Sequence, residues 1–150
     1  TVARTPTPKE AEDLLFAWAV EAGVTSNSVI FARNGATVAI GTGEQYRVGC
    51  VELWIYKAKT IYSDGLAFAK ARLADIRRRT AEAKGGLPGS VLVSDGFFPF
   101  RDGVDLALSV GVTAIAQPGG SIRDAEVIAA VNEAVPQAAM VFTGQRSFKH

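Results

Sequence analysis

The first third of the chain changes from a helical to a strand-like spacing of apolar residues. Between residues 9 and 22 the apolar positions recur at helical spacing, at Leu14, Leu15, Trp18 and Ala22. This spacing predicts an amphipathic helix, which Gly23 ends. Two runs rich in β-forming residues follow at 28–32 and 37–41, with Asn34-Gly35 between them. Asn-Gly between two such runs predicts a β-hairpin.

The remaining two thirds begin with a helical segment and continue with alternating strands and helices. Residues 48–84 are rich in Ala, Leu, Lys, Arg and Glu, which predicts mostly helix with a break near Ser63-Asp64-Gly65. After a Gly-rich linker, the apolar pattern predicts strands at 90–94, 112–117 and 138–142 and helices at 102–109 and 123–134. This alternation predicts βαβ crossovers. We therefore expect one α/β domain over residues 1–150, a three-layer fold with a mainly parallel sheet and an N-terminal hairpin.

Polar segments follow the last three predicted strands. They are Ser94-Asp95, residues 117–121 and residues 143–146. In open α/β sheets, ligands bind outside the carboxyl ends of the strands. We therefore expect a binding site at this edge of the sheet.

The composition argues against several classes of function. Sixteen basic and fifteen acidic side chains give a net charge of +1, without the basic excess that nucleic-acid binding usually requires, and Arg77-Arg78-Arg79 is typical of a solvated helix face. One cysteine, expected to be a small buried apolar residue, and one histidine give neither a disulfide nor the spacing of a zinc site. The apolar runs are short, and no signal-peptide pattern is present. We expect a cytoplasmic protein that needs no metal, nucleic acid or membrane.

Three aromatic residues follow the strand predicted at 90–94. Phe97, Phe98 and Phe100 stand between Ser94-Asp95 and Arg101-Asp102. They are either core residues that precede a solvated helix start, or the wall of a site for a planar, charged ligand. Residue types alone leave both interpretations open.

Gly119-Gly120-Ser121 connects a predicted strand to a predicted helix. Glycines allow a backbone to approach a ligand closely, and the free N–H groups of a first helical turn favour an anion. The alternative is an ordinary tight turn in which Ser121 caps the helix.

Four more polar residues are candidates for a site. The amide of Asn27 can donate and accept at once, as a carboxamide ligand requires, although Asn is also common in exposed turns. Arg47 and Arg146 stand at loop ends, where each is either a fork for phosphate or carboxylate or a surface arginine. His150 is the only side chain that titrates near neutrality, but a last residue is often frayed. No catalytic triad or paired carboxylates support hydrolysis.

Taken in order, these segments resemble one family. They are residues 14–18, Ser26-Asn27-Ser28-Val29, Ala32-Arg33-Asn34-Gly35, Ile40-Gly41-Thr42-Gly43-Glu44-Gln45 with Arg47, and residues 94–102, 117–124 and 142–150. The chain resembles the AICAR transformylase part of the bifunctional AICAR transformylase/IMP cyclohydrolase of purine biosynthesis. Within it, the chain resembles the second of two cytidine-deaminase-like halves that lack zinc. Residues 48–89 lie outside the resemblance.

The resemblance implies an activity and the residues that serve it. The family transfers a formyl group from 10-formyltetrahydrofolate to the 5-amino group of AICAR ribonucleotide. Asn27 falls on the asparagine that holds the substrate carboxamide, and His150 falls on the terminal histidine, so these two are the expected catalytic residues. Arg47 falls on an arginine of the site.

Further substrate-binding residues are implied in the same way. Phe97 and Asp102 fall on the aromatic residue and the acid that contact the ribonucleotide, and Arg146 falls on a substrate-binding arginine. With Arg47, these residues and Gly119-Gly120-Ser121 form the expected substrate-binding set. For Asn27, Arg146 and His150, the resemblance favours the functional interpretation over the ordinary one.

The chain also departs from the family. The adjacent Lys-His pair that supplies acid–base chemistry lies in the first half of the transformylase, and Lys149-His150 belongs to a different motif. Two hypotheses follow: a formyltransferase or its substrate-binding half, and a non-catalytic or regulatory paralogue that binds purine ribonucleotides. Because family sites form between chains, we expect a homodimer, or a complex with a chain that carries the first half.

Overall fold

The computed structural model describes residues 1–146, which form a five-stranded sheet between two layers of helices. The strands are β1 (Val29–Arg33), β2 (Ala36–Gly41), β3 (Val91–Ser94), β4 (Ala114–Gln117) and β5 (Ala139–Phe142). The helices are α1 (Pro8–Glu21), α2 (Arg47–Phe68), α3 (Leu73–Ala83), α4 (Asp102–Ser109) and α5 (Asp124–Glu133), with a short 3₁₀ turn at Lys84–Gly86. The predicted α/β class is confirmed.

The strand order is β2-β1-β3-β4-β5. Strand β1 is antiparallel to both of its neighbours, whereas β3, β4 and β5 pair in parallel. Four of the five strands therefore point the same way, as the mainly parallel prediction requires. The carboxyl ends of these four strands and the amino end of β1 meet at one edge of the sheet.

The two faces of the sheet are covered unequally. On one face, α1 packs Leu14 and Ala17 against the sheet residues Ile30, Val93 and Ala116. On the other face, buried residues of α2, α4 and α5 pack against alternate positions of the same strands. Because strand side chains alternate between faces, each strand contributes to both layers, which explains the continuous apolar runs of β3 and β4.

Local sequence signals explain the start of α1 and the tip of the hairpin. Thr7 and Glu10 form a capping box, which satisfies backbone N–H groups at the amino end of α1. Asn34 and Gly35 both have positive φ, as a type I′ hairpin turn requires. Their N–H groups donate to the buried carboxylate of Asp13 at 3.0 and 2.8 Å. The turn is therefore anchored to α1.

The predicted helix break at Ser63-Asp64-Gly65 is wrong. Helix α2 continues through Gly65 to Phe68, and the chain turns at residues 69–72, where Lys70 adopts a left-handed φ of 59°. A glycine inside a helix costs only about 1 kcal/mol, which is not enough to end a helix that packs on the sheet. The other predicted elements lie within two residues of their observed bounds. Among the described residues, no helix combines the length and apolarity that crossing a membrane demands.

Candidate functional site

Three segments that are distant in sequence meet at the edge of the sheet where the strands end. They are the turn at residues 26–28 before β1, the start of α2 at Arg47, and Ser94-Asp95 at the end of β3. The antiparallel β1–β3 pairing aligns Val29 with Ser94, which places the first and third segments side by side. The site thus follows from the reversed direction of β1.

A buried ion pair lies at the centre of this cluster. Arg47 donates from Nη1 to Asp95 Oδ1 at 2.5 Å and to Ser94 Oγ at 2.7 Å. The Asp95 side chain is fully buried and that of Arg47 is 8% exposed. The Ser26 hydroxyl donates to the second carboxylate oxygen of Asp95. Because hydrogen bonds hold both oxygens of the carboxylate, the position of the guanidinium is fixed.

Asn27 is joined directly to the guanidinium. Its Oδ1 accepts from Arg47 Nη2 at 2.9 Å, and its Nδ2 donates to the carbonyls of Glu44 and Gln45 at 2.9 and 3.3 Å. Both amide hydrogens are therefore used within the protein, and Oδ1 keeps one lone pair. The guanidinium keeps its Nε–H and one Nη2 hydrogen, since its other three N–H groups are occupied within residues 1–146. Together, Arg47 and Asn27 offer a ligand two hydrogen-bond donors and one acceptor.

Phe97 forms a wall of the cavity that Asn27 and Arg47 also line. The cavity has a volume of about 230 Å³ and is lined by Asn27, Gln45, Tyr46, Arg47, Phe97 and Pro99. Phe98 is instead buried in the core, and its N–H donates to Gln117 Oε1 at 3.0 Å. Phe100 is half exposed beneath the guanidinium of Arg123, at 4.8 Å. Of the three aromatic residues, Phe97 alone lines this cavity.

Arg146 extends the cluster toward the end of β5. Its guanidinium carbon lies 5.0 Å from the centroid of the Phe97 ring, within the range of a cation–π contact. Its Nη2 also lies 3.9 Å from the position that a Cβ on Gly120 would occupy. Arg146 therefore links the aromatic wall to the loop after β4.

The glycine-rich loop is closed by an acid of its own helix. Gly120 and Ser121 donate their N–H groups to the carboxylate of Asp124 at 2.8 and 3.3 Å. A Cβ on Gly119 would lie 2.5 Å from the ring of Phe142, so this position requires glycine for packing. Gly119, Gly120 and Ser121 remain predicted substrate-binding residues, and a bound anion would have to share these amides with Asp124.

Asp102 lies apart from the cavity, and His150 lies outside the described residues. Asp102 is exposed at the start of α4, where its carboxylate accepts the N–H of Gly103 at 2.8 Å, and it does not line the cavity. His150 lies outside the described residues, and its catalytic role stays a prediction. Within residues 1–146, no group of three or more His, Cys, Asp or Glu side chains is placed to hold a metal ion.

Two acidic residues and a thiol of this region were not predicted as site residues. The sequence places Asp95 only in a polar segment at the end of a strand. Glu21 is fully buried at the end of α1 and accepts from the Ser28 hydroxyl at 2.6 Å. Burial raises the pKa of Glu21 to about 7, although the Ser28 hydrogen bond lowers it in part. An acid at the carboxyl end of a helix opposes the helix dipole, and that signal marks Glu21 in the sequence.

Cys50 completes the buried surroundings of the site. Its thiol lies under the turn before β1, with Sγ 3.9 Å from the carbonyl oxygen of Asn27. Burial raises the pKa of this thiol to about 12. The thiol is therefore neutral at physiological pH and packs as a small apolar residue, as predicted.

Comparison with known proteins agrees with the resemblance seen in the sequence. Residues 1–57 match the family described as AICARFT/IMPCHase bienzyme. The chain is 50% identical to the bifunctional purine biosynthesis protein PurH of Persephonella marina over 147 residues, and this aligned region covers 98% of the chain. Both findings are likenesses to the AICARFT/IMPCHase family. The segment that matches the family, residues 1–57, contains Asn27 and Arg47 of the candidate site.

This likeness concerns only a part of the longer relative. The chain spans 24% of the length of the Persephonella protein. Correspondence to the second half of a transformylase and likeness to cytidine deaminases stay predictions. The activity of the whole relative therefore reaches this chain only as a proposal.

Proposed function

We propose that this chain forms the nucleotide-binding part of an AICAR transformylase site in purine biosynthesis. The observation that carries the proposal is the single cavity lined by Asn27, Arg47 and Phe97. These residues come from the turn before β1, the start of α2 and the loop after β3. An amide, a guanidinium and an aromatic face around one cavity suit a heterocycle that bears a carboxamide. The family match and the name of the relative support the same ligand.

Each group has a defined task in this proposal. The face of Phe97 stacks on the imidazole ring of AICAR ribonucleotide. The two remaining N–H groups of Arg47 donate to the carboxamide oxygen, and the remaining lone pair of Asn27 Oδ1 accepts from an N–H of the substrate. Arg146, whose guanidinium lies over the Phe97 ring, takes the phosphate, for which a guanidinium is a favoured partner.

Formyl transfer requires chemistry that the described residues do not contain. The 5-amino nitrogen attacks the formyl carbon of 10-formyltetrahydrofolate, the bond from that carbon to N10 breaks, the amine loses a proton and N10 gains one. This amine is a poor nucleophile because its lone pair is delocalised, so the reaction needs an oriented base. Residues 1–146 contain no histidine. By the resemblance, the proton transfers belong to the Lys-His pair of the first half, which a second chain or segment would supply, while His150 stays a predicted catalytic residue of this chain.

The size of the cavity also supports a site that a second chain or segment completes. Sites for small molecules usually enclose about 300–1,000 Å³. The cavity of this chain, at about 230 Å³, is smaller than that range. The chain thus binds the nucleotide as one wall of a site that a homodimer partner, or a chain with the first half of the transformylase, completes. Light scattering at micromolar concentration is expected to show a dimer, and a monomer alone would contradict the homodimer.

Calorimetric titration with AICAR ribonucleotide tests the binding proposal. Replacement of Arg146 by Gln is expected to weaken binding about tenfold or more, since a charge-assisted contact to the phosphate is lost. Arg123→Gln is a matched control, because Arg123 also lies over an aromatic ring, that of Phe100, outside the cavity. Binding that is absent in the unaltered chain, or equally affected by both variants, would refute the proposed site.

A second assay separates the enzyme from its alternative. Formyl transfer from 10-formyltetrahydrofolate to AICAR ribonucleotide is measured with this chain alone and with a chain that carries the first half of the transformylase. Turnover in the mixture only is the expected result. Nucleotide binding without turnover in either sample would identify a non-catalytic or regulatory paralogue.

A further inference from the structure

Glu21 is a buried carboxyl group to which the proposed chemistry gives no task. Its Oε1 accepts from the Ser28 hydroxyl at 2.6 Å, and its Oε2 has no hydrogen-bond partner among residues 1–146. Ser28 follows Asn27 directly, and its carbonyl accepts the N–H of Asp95 at 3.4 Å. A single serine therefore joins Glu21 to the turn that holds Asn27 and to the strand end that holds Asp95.

Among residues 1–146, Glu21 has no counter-charge of its own. Helix α1 packs against β1, β2, β3 and β4. Of these strands only β1 contains an ionisable side chain, Arg33, which is exposed. Asp95 beyond β3 and Arg47 of α2 both act electrostatically on Glu21, but they are paired with each other. On α1 itself, the other buried acid is Asp13, which is about two turns away and is hydrogen-bonded to the hairpin tip.

These surroundings decide the charge state of Glu21. An ionised carboxylate at this position would be a buried charge without a counter-charge, which is strongly unfavourable. A neutral carboxyl needs less solvation, and its proton can reside on the unpartnered Oε2. The neutral form of Glu21 is therefore the form that suits the Arg47–Asp95 pair.

We propose that Glu21 is a positioning residue of the nucleotide site, whose neutral carboxyl leaves Arg47 on Asp95 and Asn27 and whose ionisation draws the guanidinium away from them. The proposal takes its ligand from the proposed function. An ionised Glu21 attracts Arg47 and repels Asp95, and both forces weaken the pair in a buried environment. Since burial raises the pKa of Glu21 to about 7, this change occurs near neutral pH. Nucleotide affinity therefore falls as the pH rises through neutrality.

Titration of AICAR ribonucleotide into three proteins at several pH values tests this inference. In the unaltered chain, affinity is expected to fall about tenfold between about pH 6 and pH 8 relative to Glu21→Gln, a neutral side chain of the same shape. Glu12→Gln is the matched control, because Glu12 is an exposed acid on the same helix. The nucleotide phosphate also titrates in this range, but it does so equally for all three proteins. A Glu21→Gln protein with the same pH profile as the unaltered chain would overturn the proposal.

A readout without nucleotide separates this inference from the proposed function. The side-chain N–H signals of Asn27 and Arg47 are followed by NMR across the same pH range. They are expected to shift near neutral pH in the unaltered chain and in Glu12→Gln, but not in Glu21→Gln. If no protein binds nucleotide yet this difference is seen, the proposed function fails and the positioning role stands. Signals that shift equally in Glu21→Gln would overturn the positioning role.

Discussion

The buried pair of Arg47 and Asp95 makes a quantitative prediction about stability. Asp95→Asn keeps the volume of the side chain but removes its charge, and so deprives the guanidinium of Arg47, 8% exposed, of the carboxylate that it pairs with among residues 1–146. Removal of one partner of a buried ion pair usually costs about 3–5 kcal/mol. The amide oxygen of Asn can still accept one hydrogen bond from Arg47, so we expect a loss of about 3 kcal/mol.

The double variant decides whether this loss arises from the unpaired charge. Arg47→Met alone leaves the Asp95 carboxylate buried and unpaired, and is expected to cost about 3 kcal/mol as well. In the protein with both substitutions no charge is left unpaired. Its loss is therefore expected to be about 3 kcal/mol rather than the sum of about 6, a coupling of about 3 kcal/mol.

Urea unfolding at neutral pH measures these free energies. Two-state curves with an unchanged dependence on denaturant allow the midpoints to be compared directly. The control is Asp105→Asn, which breaks the Arg101–Asp105 pair, a contact of 2.8 Å between half-exposed side chains. A surface pair contributes at most about 1 kcal/mol. Single-variant losses that add in the double variant, or a loss in Asp95→Asn no larger than in the control, would refute the reasoning.

Three further predictions concern stability alone. The hydrogen bonds from Arg4 lower the pKa of Glu10 to about 2. The Arg4–Glu10 pair therefore stabilises the folded protein fully above about pH 4.5, and this stabilisation is lost as the pH falls toward 2. Glu10→Gln should therefore cost about 2–3 kcal/mol in urea unfolding at pH 7 and almost nothing near pH 2. Gly111→Ala should lower the melting temperature by several degrees, because Gly111 has a φ of +92° and the new Cβ would lie 2.8 Å from the backbone of Pro88. The control, Gly65→Ala, adds a Cβ in open space inside α2 and should raise the melting temperature. Gln117→Leu should cost about 1–3 kcal/mol in urea unfolding, because a buried backbone N–H loses its acceptor, and a neutral effect would contradict this account.

The elements predicted best from sequence are those whose signals are local. The Asn34-Gly35 turn dictates the hairpin, and α4 lies at its predicted bounds of Asp102 and Ser109 because its apolar period and its flanks agree. The end of α2 was misplaced because Gly65 is only a weak breaker. The apolar face of α2, with Ile55 and Ala58 buried against the sheet layer, favours a long helix through contacts that no local signal reveals.

The candidate site divides in the same way. The βαβ pattern predicted a cluster of polar groups at the strand ends, and the resemblance supplied the roles that we propose for Asn27, Arg47 and Phe97. The pairing of Asp95 with Arg47 and the task proposed for Glu21 could not be predicted, since both depend on burial of these acids near Arg47. That burial is produced by packing between α1, β3 and α2, whose sequences are far apart. Asp95 and Arg47 stand 48 positions apart, so no spacing rule connects them.

The pairing of Arg47 with Asp95 also determines what Arg47 can recognise. Because Asp95 already balances its charge, Arg47 offers a ligand directed hydrogen bonds rather than a net positive charge. Such a group suits the neutral carboxamide and selects by geometry, and the hydrogen bonds that hold it are formed before the ligand arrives. Under the proposed function the phosphate is neutralised elsewhere, and we assign this task to Arg146, which is exposed beside Phe97. Loss of Arg146 should therefore make nucleotide binding less dependent on salt, whereas the salt dependence should survive changes at Asn27. Equal salt dependence with and without Arg146 would place the phosphate elsewhere.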